Sequence, residues 1–210
     1  MNNFEELARL IGYDIKALRQ QEIRGTGSPE GRVAAKIGVT YVDINVTNGA
    51  LKWIKKQDGG NTGWQVLWGD TGWRDLATES TLNIGRRASS VKIRRVNNLI
   101  SFSFGGLERD CFGIIRRNGN GFVGQNDNKG VRVIAPKGIP DGFRSKNSLI
   151  GNIFSNTGQG YGIWYLGGRS DSNYMRFTFN DDIPTDHDID DIRVNTINYF
   201  TEDPWPTTLP

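Results

Sequence analysis

A chain of 210 residues with 36% hydrophobic content and a net charge of +3 holds enough apolar material for one or two globular domains, which excludes a disordered tail. Its 27 glycines, against 7 prolines, lie singly or in pairs between short apolar stretches, which is typical of strands joined by tight turns and favours a mainly β fold. No apolar run approaches the roughly 18 residues of a membrane span, and the amino terminus lacks a signal-peptide pattern, so we expect a soluble protein made in the cytoplasm, with no membrane partner.

The charge is unevenly distributed along the chain, with about +9 over residues 1–150 and about −6 over residues 151–210. The basic residues are scattered singly or in pairs, such as Arg94 and Arg95, and are not gathered in one stripe with stacking aromatic residues. This pattern does not favour a nucleic-acid partner, and solvated strand edges are the preferred interpretation.

Residues 3–23 have the only long helical period of the sequence, and Gly25 predicts the end of this helix. Its apolar stripe consists of Phe4, Leu7, Ile11, Ile15 and Leu18. So short a helix must bury this stripe, either in the protein's own core or in a coiled coil with copies of itself. Because the rest of the chain is predicted to be β, we favour self-association of residues 1–25, although Gly12 weakens both alternatives.

Residues 26–78 are predicted to form a small β module rich in glycine and tryptophan. A turn-rich joint at 25–31 is followed by a hairpin about Asn48-Gly49 and by a further short strand, WQVLW. The tripeptide Thr-Gly-Trp occurs twice, and each copy predicts a turn that delivers a tryptophan, Trp64 or Trp73, to the start of a strand. Burial in the module's core is the favoured interpretation; the alternatives are stacking on a sugar and contact between protomers.

Residues 79–210 are predicted to form a second β domain, which follows a polar connector. VKIRRV and LISFSF alternate as a hairpin about Asn97-Asn98, and seven further short strands follow at the spacing of a sandwich, jelly roll or barrel. The prolines of the closing EDPWPTTLP exclude a central strand, so we expect this segment to lie across the surface.

Catalytic chemistry finds little support in the sequence. The single histidine, His187, lies in a polar loop without a nucleophile-elbow motif, and Cys111 lies in an apolar segment with no second cysteine to pair with. No carboxylate pair for glycoside hydrolysis can be singled out. We therefore predict that the protein is not an enzyme and needs no cofactor.

The acidic loop at 181–191 matches part of the pattern of a calcium-binding loop. Asp186, Asp188 and Asp190 have the spacing of the first three EF-hand ligands, but Asp191 stands where the EF-hand needs glycine, and Ile197 where it needs glutamate. An EF-hand is excluded. A looser oxygen-ligand site stays open beside the favoured interpretation of a solvated loop.

The β module predicted at 26–78 contains a series of motifs in a fixed order. They are Gly-Ser-Pro-Glu-Gly at 27–31, Gly38, Tyr41, Asp43, Thr-Asn-Gly-Ala at 47–50, Trp53 and the two Thr-Gly-Trp turns. This order resembles a module of minor tail, tail-fibre and receptor-binding proteins of siphophages that infect Gram-positive bacteria. Farther on, IRRVNNLISFSF and PKGIPDGFR are similar to parts of the carboxy-terminal head domains of phage tail proteins. The resemblance implies a trimeric virion protein of the tail tip, baseplate or fibre, whose amino-terminal region binds other tail or baseplate proteins and whose distal domain contacts the host.

One segment of the distal domain, GYGIWYLGGRSDSNY at 160–174, combines aromatic and hydrogen-bonding residues. The aromatic residues suited to stacking on sugar faces are Tyr161, Trp164, Tyr165 and Tyr174. Arg169 and Asp171 can bond hydroxyls or an anionic group. Strand alternation sends Trp164 and Tyr165 to opposite faces, so at most one of them faces a ligand. The predicted saccharide site consists of Trp164, Arg169, Asp171 and Tyr174.

The sequence thus predicts a non-enzymatic receptor-binding protein that recognises a saccharide of the bacterial surface. Its expected fold is an amino-terminal helix in a trimeric coiled coil, a small β-hairpin module, and a head domain that resembles a β-sandwich or jelly roll. The alternatives are a structural head-decoration or fibre-adaptor protein and a polysaccharide-cleaving tailspike. A tailspike normally needs a longer β-solenoid, and the sequence has no repeat of roughly 20 to 50 residues.

Overall fold

A computed structural model describes residues 3–19, 21–76, 90–105, 107, 115–116, 122–123, 130–133, 138–168, 174–181 and 191–210. Over these residues the fold is mainly β, as predicted, with one α-helix and fifteen strands. The chain divides into two compact units, Met1–Thr71 (unit 1) and Gly72–Pro210 (unit 2). Within the described ranges, no helix combines the length and the apolar character that crossing a membrane requires.

Unit 1 contains the helix α1, Asn3–Arg19, and one four-stranded sheet. The strands are β1 (Glu22–Gly25), β2 (Thr40–Asp43), β3 (Ala50–Lys55) and β4 (Trp64–Gly69), and they lie in this order in the sheet. β1 pairs in parallel with β2, and the other neighbours pair antiparallel. A 3₁₀ turn at Thr47–Gly49 lies between β2 and β3, which confirms the hairpin predicted about Asn48-Gly49.

The helix is shorter than the predicted range of 3–23, because the residues that follow it join the sheet. Strand β1 pairs with β2 so that Ile23 lies opposite Tyr41. Gly25, which was predicted to end the helix, ends this strand instead. Helical periodicity is a local pattern and does not report a parallel ladder between segments that are distant in sequence.

Unit 2 contains two larger sheets and one short strand pair. In chain order its strands are β5 (Arg74–Asp75), β6 (Val91–Val96), β7 (Leu99–Phe104), β8 (Ile115–Arg116), β9 (Phe122–Val123), β10 (Gly130–Val133), β11 (Leu149–Ser155), β12 (Gly160–Leu166), β13 (Met175–Phe179), β14 (Ile192–Val194) and β15 (Ile197–Phe200). One sheet has the order β15-β7-β6-β5, the other has the order β10-β13-β12-β11-β14, and β8 pairs with β9. The pairings that the structure describes in this unit are all antiparallel.

Both larger sheets of unit 2 bury side chains in one hydrophobic cluster. Its members include Val91, Ile93, Ile100 and Phe102 from the four-stranded sheet and Ile153, Trp164, Leu166, Met175 and Phe177 from the five-stranded sheet. The predicted strand IRVNTINYF is two strands, β14 and β15, which belong to different sheets. The chain therefore passes from one sheet to the other between Val194 and Ile197.

The residues after β15 form no strand and are held by Arg95, which is 6% exposed. Its guanidinium donates to the carbonyls of Asp203 at 3.0 Å and Pro204 at 2.9 Å, and it lies 4.9 Å from the ring centre of Trp205. Burial lowers the pKa of Arg95 to about 10, against the opposing effect of Asp203, so the group is charged at neutral pH. The expected surface tail is therefore anchored by a buried cation and a buried indole.

The turn at 140–144, which lies in the sequence PKGIPDGFR, is part of the same anchor. The Asp203 carboxylate accepts hydrogen bonds from the N–H groups of Gly142 and Arg144, each at 3.1 Å. The hydroxyl of the buried Tyr199 donates a hydrogen bond to the carbonyl of Phe143 at 2.5 Å. These contacts give the residues of the turn a structural role within unit 2.

Candidate functional site

Strand β12 contains three of the four aromatic residues on which the saccharide prediction depends, and two of them, Trp164 and Tyr165, are adjacent. Trp164 is 9% exposed and belongs to the hydrophobic cluster. Its indole lies against β11, since a Cβ added at Gly151 would stand 2.4 Å from the indole Cε2. Among the described residues, its Nε1 has no hydrogen-bond partner. Trp164, which the sequence placed in the saccharide site, thus fills the core instead.

Tyr165 lies on the opposite face of the sheet and is half-buried. Its hydroxyl donates to Ser148 Oγ at 2.8 Å, and the guanidinium of Arg176 lies 5.3 Å from the centre of its ring. In the ladder, Tyr165 is opposite Arg176 of β13 on one side and Ile150 of β11 on the other. We call Ser148, Ile150, Tyr165 and Arg176 the outer-face site.

The side chains around Tyr165 are exposed, so the site is open to solvent. Arg176 and Ser148 are exposed, and Ile150 is 62% exposed. A second cross-strand row of the same face, formed by Asn152, Ile163 and Thr178, lies two residues along the strands. The face therefore presents a phenol ring, a guanidinium, hydroxyls and an amide, which are groups that stack on sugar rings and bond their hydroxyls.

Of the other predicted saccharide residues, the structure describes Tyr174 alone. Tyr174 is half-buried and directly precedes β13, whereas Arg169 and Asp171 lie outside the described residues. Gly168, which leads towards them, has a φ of +87°, and a Cβ added there would lie 2.5 Å from Ser148 Oγ. The predicted turn at 167–174 therefore begins beside the outer-face site.

Tyr161 is partly buried against the hydrophobic cluster, with its ring centre 6.5 Å from that of Phe179. Tyr161, like Trp164, was considered for stacking on a sugar, but both side chains pack in or against the hydrophobic cluster. Ser148, Ile150 and Arg176 were not singled out from the sequence. The alternation in YMRFTF places Arg176 away from the core, but its position beside Tyr165 depends on strand register.

The tryptophans of the repeated Thr-Gly-Trp turns have different environments. Trp64 is 7% exposed, and its Nε1 donates to the carbonyl of Val33 at 2.8 Å. Trp73, in unit 2, is 45% exposed. In unit 1, Trp68 is 57% exposed on the edge strand β4. Burial in the core therefore holds for the first copy, and the alternatives of sugar or protomer contact stay open for the second.

The motif residues of unit 1 form an internal network around the buried Asp43. Its carboxylate accepts hydrogen bonds from the N–H groups of Gly27 at 2.9 Å, Asn45 at 3.0 Å and Thr47 at 2.8 Å. Burial favours the neutral acid and raises the pKa of Asp43, but the hydrogen bonds outweigh burial and hold this pKa below its usual range. Asp43 thus fixes the loop between β2 and β3.

A second carboxylate joins the Gly-Ser-Pro-Glu-Gly motif to the first Thr-Gly-Trp turn. Glu30 accepts hydrogen bonds from the N–H groups of Gly63 at 3.1 Å and Trp64 at 2.7 Å. Asn61 donates its side-chain N–H to the carbonyl of Gly31 at 2.7 Å. These motif residues of unit 1 therefore stabilise its fold, and we do not place a ligand there.

The helix α1 presents its apolar stripe to solvent. Every side chain whose exposure is described, from Asn3 to Ile15, is exposed. The exposed fractions are 76% for Phe4, 56% for Leu7, 49% for Ile11 and 47% for Ile15. The side chain of Leu18 lies outside the description. The described part of the stripe is therefore not buried in the core of its own chain.

The structure does not describe the residues that were considered for catalysis and for calcium binding, which are His187, Cys111, Asp186, Asp188 and Asp190. Over the ranges that are described, no group of three or more His, Cys, Asp and Glu side chains is arranged to hold a metal ion.

Comparison of the chain with protein-family profiles, curated proteins and solved structures finds no significant match.

Proposed function

We propose that this chain is a non-enzymatic phage virion protein that binds a cell-wall or surface saccharide of a bacterium as a homotrimeric receptor-binding protein of the tail tip, baseplate or fibre. The single observation that supports saccharide binding is the outer-face site, where Tyr165 presents its ring between Ile150 and Arg176. The phage context rests on the resemblance of the motifs at 27–73 to tail and receptor-binding proteins.

The outer-face site has the chemistry for a sugar. The apolar face of a pyranose ring would stack on Tyr165, and its hydroxyls would bond Ser148, Asn152 and the guanidinium of Arg176. These residues lie on or beside three hydrogen-bonded strands, so the sheet holds them in place before the ligand arrives and lowers the entropic cost of binding. Three copies of the site in a trimer would add avidity on a polymeric surface.

In this proposal, the amino-terminal region holds the three chains of the trimer together. We propose that α1 forms a trimeric coiled coil through Phe4, Leu7, Ile11, Ile15 and Leu18, because an exposed apolar stripe on so short a helix is stable only against a partner. In the same proposal, the first β module binds other phage tail or baseplate proteins, and unit 2 is a head domain of the β-sandwich or jelly-roll kind.

A structural role as a fibre adaptor is the second candidate. On the edge strand β4 of unit 1, Leu67 is 47% exposed and Trp68 is 57% exposed, and large apolar side chains that are exposed on an edge strand can contact another protein. An adaptor would use this surface and would not bind saccharides. The two candidates therefore differ in whether the isolated protein binds a glycan.

The test is binding of the full chain to an array of bacterial surface saccharides, followed by affinity measurement for Tyr165→Ala. Loss of the stacking ring should weaken binding about tenfold or more. Phe200→Ala is the matched control, because Phe200 is a 70% exposed aromatic residue of the other sheet of unit 2. Absence of binding by the wild-type protein, or equal affinity for Tyr165→Ala when circular dichroism shows a folded protein, would reject the proposed site.

A further inference from the structure

The ladder between β11 and β12 brings two isoleucines and an asparagine to the face that carries Tyr165. Ile150 is directly opposite Tyr165, and two residues along the strands Asn152 is opposite Ile163. Directly opposed residues share a face of a sheet, and so do residues two positions apart in a strand. The register shift of this ladder comes later, after Ile153. The four side chains are therefore the corners of one surface patch, which we call the quartet.

The two isoleucines lie on one diagonal of the quartet. Ile150 is 62% exposed and Ile163 is half-buried, so both have apolar surface in contact with solvent. Diagonal neighbours in an antiparallel ladder lie about 7–8 Å apart. Apolar carbon atoms make contact at about 4 Å. A single methyl group placed between the two isoleucines can therefore touch both.

The other diagonal of the quartet joins Tyr165 to Asn152. The Asn152 side chain is exposed and has one carbonyl acceptor and two N–H donors. It can donate to the carbonyl of an amide substituent or accept from its N–H group. A plain hexose would instead place a hydroxyl against the isoleucines, where it loses water without gaining a partner. The quartet thus favours a sugar whose substituent combines a methyl group with an amide.

We infer that the saccharide bound at the outer-face site contains an N-acetylated hexosamine. Its acetamido methyl group packs between Ile150 and Ile163, and its amide, in place of a hydroxyl, bonds Asn152. This inference rests on the proposed function, because the sugar ring still stacks on Tyr165. Stacking of the ring and recognition of the substituent use different side chains, so the two can be tested separately.

Matched monosaccharides test the inference by calorimetric titration into the full chain. The probes are the methyl glycosides of N-acetylglucosamine, N-acetylgalactosamine and N-acetylmannosamine, each compared with the corresponding plain hexose. We expect at least one N-acetylated sugar to bind about tenfold more tightly than its hexose, the combined effect of one hydrogen bond and one buried methyl group. The N-formyl analogue of that sugar keeps the amide but lacks the methyl group, and it should bind about fourfold less tightly.

Variants assign the two halves of the substituent to their residues. Ile150→Thr should bring the N-acetyl and N-formyl sugars to nearly equal affinity, because it removes the apolar contact. Ile44→Thr is the matched control, since Ile44 is 60% exposed in unit 1. Asn152→Ala should reduce the preference for the N-acetylated sugar over its hexose about fivefold. Asn198→Ala changes an exposed asparagine of β15, in the other sheet of unit 2, and should leave the affinity unchanged.

The outcomes distinguish this inference from the proposed function. Saccharide binding without a preference for the acetamido group would overturn the inference, and the proposed function would stand. Binding of a 6-deoxy sugar that Asn152→Ala leaves unchanged would overturn it too, because the isoleucines would then hold a methyl group without an amide. If only a larger N-acetylated saccharide of the array binds, its N-formyl derivative gives the same comparison. If no saccharide binds at all, the proposed function fails as well.

Discussion

The indole of Trp164 occupies the space that a side chain at Gly151 would need. The two residues are opposite each other in the β11–β12 ladder, and a Cβ added at Gly151 would lie 2.4 Å from Cε2 and 2.5 Å from Nε1 of the indole. This contact determines which face of β12 is the core. Because Trp164 points inwards over a glycine, the adjacent Tyr165 lies on the outer face.

Gly151→Ala should therefore lower the free energy of unfolding by about 1–3 kcal/mol, because the new methyl group displaces a packed indole. Gly160→Ala, on β12, is the matched control, since no atom lies within 4 Å of a Cβ added there. Denaturant titration followed by tryptophan fluorescence measures both. Equal stability of the two variants would show that the indole does not occupy this position.

The sequence predicted that Trp164 and Tyr165 face opposite sides, and alternation in a strand is sufficient for that conclusion. It did not decide which of them faces the core, because this depends on the residue opposite, Gly151, and therefore on strand register. Tyr165 and Arg176 illustrate the same limit, because their opposition follows from the pairing of β12 with β13, which local periodicity does not contain.

The mainly β class and the hairpins were predictable because alternation and turn residues are local signals. The hydrogen-bond partners of buried polar side chains were not predictable. Asp43 was recognised in the sequence as part of a motif, but its three N–H donors come from Gly27, Asn45 and Thr47. A carboxylate can be assigned a structural role only when its donors are known.

Asp43 gives unit 1 a predictable dependence on pH. Its pKa in the folded protein is lowered, so the ionised form is stabilised by folding, and this contribution is present above the unfolded-state pKa of about 3.9. The contribution should be lost as the pH falls through the lower pKa of the folded state. We expect the free energy of unfolding, measured against pH, to decrease on acidification in this range.

Asp43→Asn should remove most of this dependence on acid and should destabilise the protein at neutral pH by about 2–3 kcal/mol, because a charged acceptor of several N–H groups is lost. Asp58→Asn is the control: Asp58 is exposed and accepts one hydrogen bond, from the N–H of Ile37 at 3.3 Å. If Asp43→Asn and the wild type lose stability in parallel below neutral pH, other groups determine the acid response.

The two Thr-Gly-Trp turns should respond differently to the same substitution. Trp64→Ala removes a buried indole that donates to Val33 and should cost about 3–5 kcal/mol of unfolding free energy. Trp73→Ala removes a side chain that is 45% exposed and should cost about 1 kcal/mol or less. Denaturant midpoints, compared at unchanged slope, measure the difference. A large loss for Trp73→Ala would assign that residue to a buried contact, such as one between protomers.

The apolar stripe of α1 leads to the prediction about assembly. The wild-type protein should have three times the 23.5 kDa mass of the chain in light scattering at micromolar concentration, because a helix of 17 residues with an exposed apolar stripe is marginal alone. Ile11→Asp should shift the mass towards the monomer, since a buried charge without a partner is costly at such a seam. Leu10→Asp is the matched control: Leu10 is 51% exposed and lies about 100° from Ile11 around the helix, so the trimer should persist. A monomeric mass for the wild type, or equal masses for the two variants, would exclude this stripe as the interface.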